Sequence, residues 1–133
     1  MKSMAWLVLL SVALGAQAGE EESTPCDNVE TDQQGYACAA FNKHTAEREL
    51  KAAYDELVQR IRDQYADEVG QATALIERMD AAEKLWVQLR DADCKVETFA
   101  GKPGSQAFEA AWNTCIAQRS DERSEYLQSI GQP

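Results

Sequence analysis

The side chains with the most chemistry to offer are four thiols, Cys26, Cys38, Cys94 and Cys115. Thiols ligate metals, exchange electrons or form structural bridges, and spacing separates these uses. No Cys-x-x-Cys pair occurs, and all four cysteines follow an apolar N-terminal stretch of the kind that directs export. An even set of thiols delivered to an oxidising space predicts two disulfides, with no metal and no redox centre. Four cysteines admit three pairings; proximity along the chain favours Cys26 with Cys38 and Cys94 with Cys115.

Other reactive groups are sparse. His44 is the only histidine, and neither His-Glu-x-x-His, Gly-x-Ser-x-Gly nor a phosphate-cradling glycine loop is present. Asp91 and Asp93 are two residues apart, which on a helix turns them to different sides and makes them a poor carboxylate pair. These absences predict a protein that is not an enzyme, with no catalytic residue, metal or cofactor. The chain carries 13 basic and 23 acidic residues for a net charge of −10. Such a surface repels nucleic acid and anionic lipid and favours encounter with a cationic protein.

The elements that must position these residues are helical. Residues 1–18 read as a cleaved signal peptide: Lys2 is the charged start, Met4 to Leu14 is apolar but too short to cross about 30 Å of bilayer, and Ala16-Gln17-Ala18 is a small-x-small cleavage site. No cysteine stands where a lipoprotein would be acylated, so the expected product is soluble, periplasmic or secreted, with no stable membrane insertion. Residues 19–35 form an acidic leader tied down by Cys26, and 36–133 form one helical domain.

Three apolar stripes at spacings of three and four define that domain. The first runs Leu50, Tyr54, Leu57, Val58, Ile61, Tyr65 and Val69. The second runs Leu75, Met79, Ala82, Leu85, Trp86 and Leu89, and the third runs Phe108, Trp112, Cys115, Ile116, Arg123, Tyr126, Leu127 and Ile130. Between the last two, the segment from Thr98 to Ser105 holds two glycines and a proline and cannot be helical; Ser105 is placed to cap the third helix. A hairpin near Gly70 divides the first two stripes, because one unbroken helix over 36–95 would be a rod of roughly 90 Å that so small a chain could not cover. The fold expected is all-α, a small disulfide-stapled three-helix bundle.

Trp86 and Trp112 are expected in its core. Arg90, one turn past Trp86, is expected to meet a carboxylate, with Asp91, Glu49 and Glu97 as candidates. A Cys94–Cys115 bridge would clamp the Thr98–Ser105 loop and contribute about 3 kcal/mol.

Two sets of residues resemble the LprI-type lysozyme-inhibitor family. The first half offers Cys26, Thr31-Asp32, Cys38, Glu49-Leu50, Tyr54 and Leu57. In the second half, Trp86, Arg90, Asp91 and Cys94 match W-x-x-x-R-D-x-x-C; Gly104-Ser105 follows, and Cys115, Ser120, Arg123 and Leu127 match C-x-x-x-x-[ST]-x-x-R-x-x-x-L. Lys51 stands where the family usually has asparagine, Glu47 where it often has aspartate, and the lipid anchor of the mycobacterial namesake is missing.

The resemblance implies an inhibitor whose partner is a basic lysozyme or another cell-wall hydrolase, with an acidic bundle docked across the enzyme's cleft. On that reading the clamped loop is the probe: Lys102 reaches the catalytic carboxylates and Phe99 packs at the rim. An immunity protein against a toxin delivered to the periplasm, or an envelope adaptor with no enzyme target, would share the same export, acidity and bridges.

Overall fold

The computed structural model of the protein describes residues 22–132. The signal peptide expected over residues 1–18 lies outside them. Three helices follow one another: α1 Asp32–Gln64, α2 Val69–Glu97 and α3 Gln106–Ser129. No strand occurs among the described residues, and none of their helices is long and apolar enough to cross a membrane.

Helix α1 starts four residues before the expected Tyr36, because Thr31 and Gln34 form a capping box. The Thr31 hydroxyl accepts from the Gln34 N–H at 3.2 Å, and the Gln34 side chain accepts from the Thr31 N–H at 3.0 Å. At its other end α1 stops at Tyr65, whose N–H reaches Ile61 O at 3.0 Å. The break falls at Tyr65–Glu68, just before the expected Gly70, which lies inside α2 with open space around it. Ser105 caps α3 as anticipated, accepting from the Phe108 N–H at 3.1 Å.

α1 and α2 run antiparallel, as do α2 and α3, which leaves α1 and α3 parallel. These two make the closest backbone approach in the molecule. Their contact is built from small residues: Ala39, Ala46 and Ala53, spaced by seven on α1, and Ala117, Ser120 and Ser124 on α3 are all buried. Small side chains at heptad spacing let two helices approach closely along a shallow crossing. Toward the α1–α2 turn the seam widens into an apolar cluster of Ala53, Leu57, Ile61, Ala72 and Leu127. Arg60 donates there to Leu127 O and Ile130 O at 3.0 and 3.2 Å, so it supplies donors to carbonyls at the C-terminal end of α3.

α2 is held differently. Its stripe was expected to bury Ala82, Leu85 and Leu89, yet Ala82 is exposed, as are Leu85 at 67% and Leu89 at 59%. The reason is rotational. Cys94 is fully buried in its bridge, and Leu85, nine residues earlier at 100° each, points the opposite way. Ile76, eighteen residues before Cys94, comes back to the same side and packs on the core. Val69, the last member of the first stripe, opens α2 and is also exposed.

Candidate partner-binding surface

Both bridges form as favoured from proximity, Cys26–Cys38 and Cys94–Cys115, with Cα separations of 4.7 and 5.7 Å. No free cysteine occurs among the described residues, nor any group of three or more His, Cys, Asp or Glu side chains able to hold a metal ion. The first bridge draws the segment before α1 onto the start of that helix, so from residue 22 the acidic leader is folded against the bundle. A local turn reinforces it: the Asp27 carboxylate accepts from the Thr24 N–H at 2.7 Å and the Thr24 hydroxyl at 2.9 Å, and the backbone donor in particular lowers the Asp27 pKa.

The second bridge organises the tip. Cys94, Cys115, Ile116 and half-buried Trp112 pack together beneath it. Thr98 ends α2 and is buried, its hydroxyl donating to Cys94 O at 2.7 Å. Two tight turns follow: Gly101 N–H reaches Thr98 O at 3.0 Å, and Ser105 N–H reaches Lys102 O at 3.1 Å. Gly101 lies so close to the Phe108 ring that a Cβ there would sit 2.9 Å from it, and Gly104 takes φ +83°, a conformation that favours glycine. The loop is thus fixed at both ends and in its middle. It presents Phe99, 88% exposed, and Lys102, also exposed and without an ion-pair partner among the described residues.

Trp86, Arg90, Asp91 and Arg123 form one assembly between α2 and the α1–α3 pair. Trp86 is half-buried, outside the apolar clusters where it was expected, with Arg90 at 5.3 Å and Arg123 at 5.6 Å from its ring centroid. Trp112 is likewise half-buried. Arg90 bonds Asp91 Oδ1 at 2.9 Å and lies 3.8 Å from Glu47 Oε1. Of the three candidate carboxylates, Asp91 is therefore a partner. Glu97 instead pairs with Arg119, and that bond raises the Arg119 pKa. Glu49 lines a groove on the far side of α1.

Arg123 donates through Nε to Glu83 at 2.8 Å and stacks on Tyr126 at 4.7 Å. Nearby, the Tyr54 hydroxyl donates to the Asp80 carboxylate; burial first, then this carboxylate, pushes the Tyr54 pKa up to about 12. These groups are tied to one another and fix the spacing of the helices, which is a positioning role.

The second surface feature is one that the apolar stripes do not reveal. Glu49 and Glu56 of α1 face Asp121 and Glu125 of α3 across a shallow groove floored by Ala52, Ala53 and Ser124. All four carboxylates are exposed. Their spacings, seven on α1 and four on α3, were available in the sequence, but the parallel register that joins them was not.

A family model described as Lysozyme inhibitor LprI matches residues 26–127. The chain belongs to that family. The matched LprI span opens at Cys26 and closes at Leu127, so it takes in both bridges, the Trp86 assembly, the tip and the α1–α3 seam. A crystal structure of a DUF1311 family protein from Pseudomonas putida KT2440 is similar to this LprI chain. It is 68% identical, covering 79% of this chain and 98% of that one, with a TM-score of 0.70. No curated protein matches.

Proposed function

We propose that the protein is a secreted or periplasmic inhibitor that binds a basic peptidoglycan hydrolase, most simply a lysozyme, and blocks its cleft. The observation that carries this reading is the tip: a loop fixed by a buried disulfide and two turns that presents an exposed aromatic ring beside an unpaired cation. A preformed loop loses little conformational entropy on binding. Glycosidases of this kind work through a pair of carboxyl groups flanking the scissile bond, and Lys102 offers the charge to meet them while Phe99 fills apolar space at the rim. Membership of the LprI family supports a protein partner, and the net charge of −10 supports a basic one. No chemistry on substrate is required, since occupying the cleft suffices.

The test is lysis of bacterial cell walls by a panel of lysozymes with the protein present. Lys102→Glu combined with Phe99→Ala should abolish inhibition while leaving the melting temperature unchanged, because neither side chain is buried. Association of the wild type should slow steeply as salt rises, since exposed charges are screened over about 10 Å at 0.1 M. Full inhibition by the double variant would move the binding surface to the acidic α1–α3 groove. Failure of the folded wild type to inhibit any lysozyme would reject the proposal.

A further inference from the structure

The outer face of α2 is apolar over most of its length and is exposed among the described residues. Ala74, Ala82, Leu85, Leu89, Ala92 and Val96 each lie within about 60° of Leu85's direction, at 100° per residue, and all six are exposed; Arg78 is the one charged residue inside the same arc. Val96 is 76% exposed, the highest of the three large members. From Ala74 to Val96 the stripe is about 33 Å long. An amphipathic helix normally turns its apolar stripe to the core; here the Cys94–Cys115 bridge and the inward-facing Arg90 and Glu83 turn it outward.

The charges in and beside the stripe identify what fits it. Several inward-facing and lateral ions are paired within the protein, as in Arg123 with Glu83 and Arg119 with Glu97. Glu77, Arg78, Asp93 and Lys95 have no ion-pair partner among the described residues; nor has Lys84, which lies farther round the helix, about 100° from Leu85. Glu77 and Lys95 lie on the same flank, because eighteen residues return a helix to the same direction. When two identical helices pair antiparallel about a two-fold axis, each flank meets the same flank of the other copy with the sequence reversed. Glu77 then faces the partner's Lys95. The same axis, passing near Leu85, places Arg78 opposite the partner's Asp93, Leu85 on its own equivalent, Leu89 on Ala82 and Val96 on Ala74. One dyad thus satisfies four unpaired charges and seats each large side chain on itself or on an alanine.

We infer that this face of α2 is an isologous dimer interface, occupied by α2 of a second copy in antiparallel register. A single helix pair buries an area at the low end of specific interfaces, so the dimer forms in the micromolar range and depends on concentration. The inference is independent of the target of the tip.

Sedimentation of the purified protein from about 1 to about 500 µM should show reversible conversion of monomer to dimer. Leu89→Asp should leave only monomer, with the helical circular dichroism signal and melting temperature of dilute wild type retained, since the residue is exposed and belongs to neither apolar cluster. Glu77→Lys alone and Lys95→Glu alone should each weaken the dimer about tenfold, because the two-fold axis doubles every repulsion. The two changes together should restore affinity to within about threefold of wild type. A protein that stays monomeric throughout the range, or a dimer indifferent to Leu89→Asp, would overturn the inference. So would failure of the charge exchange to restore the dimer. A monomer whose inhibitory activity is lost on Leu89→Asp would assign the stripe to the target enzyme instead.

Discussion

α3 and α2 are attached to α1 by opposite means. The α1–α3 seam is made of Ala39, Ala46, Ala53, Ala117, Ser120 and Ser124, which carry little bulk and let two backbones lie close together. α2 is set farther out, held by the apolar cluster at one end, the Cys94–Cys115 bridge at the other, and the Trp86–Arg90–Arg123–Glu83 layer between. A seam of small residues is a rigid pairing with no room for adjustment. A layer of long polar side chains holds a helix by geometry, and it depends on every partner being present. The Thr98–Ser105 tip hangs from the second kind of attachment, with a covalent tie directly beneath it.

The largest expected effect comes where both attachments share one core. Leu57 is 1% exposed and joins the apolar cluster with Ile61, Ala72 and Leu127. Leu57→Ala should cost about 2–5 kcal/mol, measured by denaturant unfolding, and should loosen all three helices together. A loss confined to α2 would show that the seam is self-sufficient and sharpen the contrast.

Replacing Cys94 and Cys115 with serine comes next. Loss of that bridge should cost about 3 kcal/mol through the unfolded state. It should also free the rotation of α2, so amide exchange ought to rise in α2 and the tip while α1 and α3 keep their protection. Uniform loss of protection would break the comparison.

Arg123→Met tests the polar layer by itself. It leaves the Glu83 side chain, 19% exposed, without its ion partner and should cost about 1–3 kcal/mol. Adding Glu83→Leu should recover part of that loss in a thermal-unfolding cycle, because the unpaired charge is removed. No recovery would mean that Arg123 acts through its stacking on Trp86 and Tyr126.

The smallest effect is a pH response at the α1–α2 contact. Tyr54 has a folded pKa of about 12 against an ordinary value of 10, so folding favours its protonated form. The stability it contributes is complete below about pH 10 and is lost as pH rises toward 12. Tyrosinate absorbance should show one late-titrating phenol, and Asp80→Asn should bring that phenol only partway down, since burial is the larger cause.

Much of this architecture is legible in the sequence because large apolar residues, glycine, proline and cysteine carry strong local signals. The three helices, the Thr98–Ser105 loop, the Ser105 cap and both bridges follow from them. The α1–α3 seam escapes because alanine and serine at heptad spacing do not register as an apolar stripe, although they decide which helices lie closest. The orientation of α2 escapes for another reason. Leu85, Leu89 and Trp86 all look equally fit for a core, and what chooses among them is a bond formed by Cys94, nine residues beyond Leu85. The Thr31–Gln34 capping box was visible, but the apolar period that starts later outweighs it. The exposure of Phe99 and Lys102 is legible because the glycines and proline around them exclude them from any helical stripe. The acidic groove of Glu49, Glu56, Asp121 and Glu125 needs a parallel register that no local pattern encodes.

The unequal burial of the two bridges has a consequence for their lifetimes. Cys94 and Cys115 are 0% and 4% exposed, whereas Cys26 and Cys38 are only half-buried. Thiol exchange needs a thiolate to approach one sulfur along the axis of the bond. An external reductant therefore reaches Cys26–Cys38 in the native protein, but reaches Cys94–Cys115 only after α2 and α3 have parted. Under reducing conditions the segment before α1 would be released before the tip lost its shape. The order in which the bridges yield is thus written into the packing: first the one beside the start of α1, last the one beneath the Thr98–Ser105 loop.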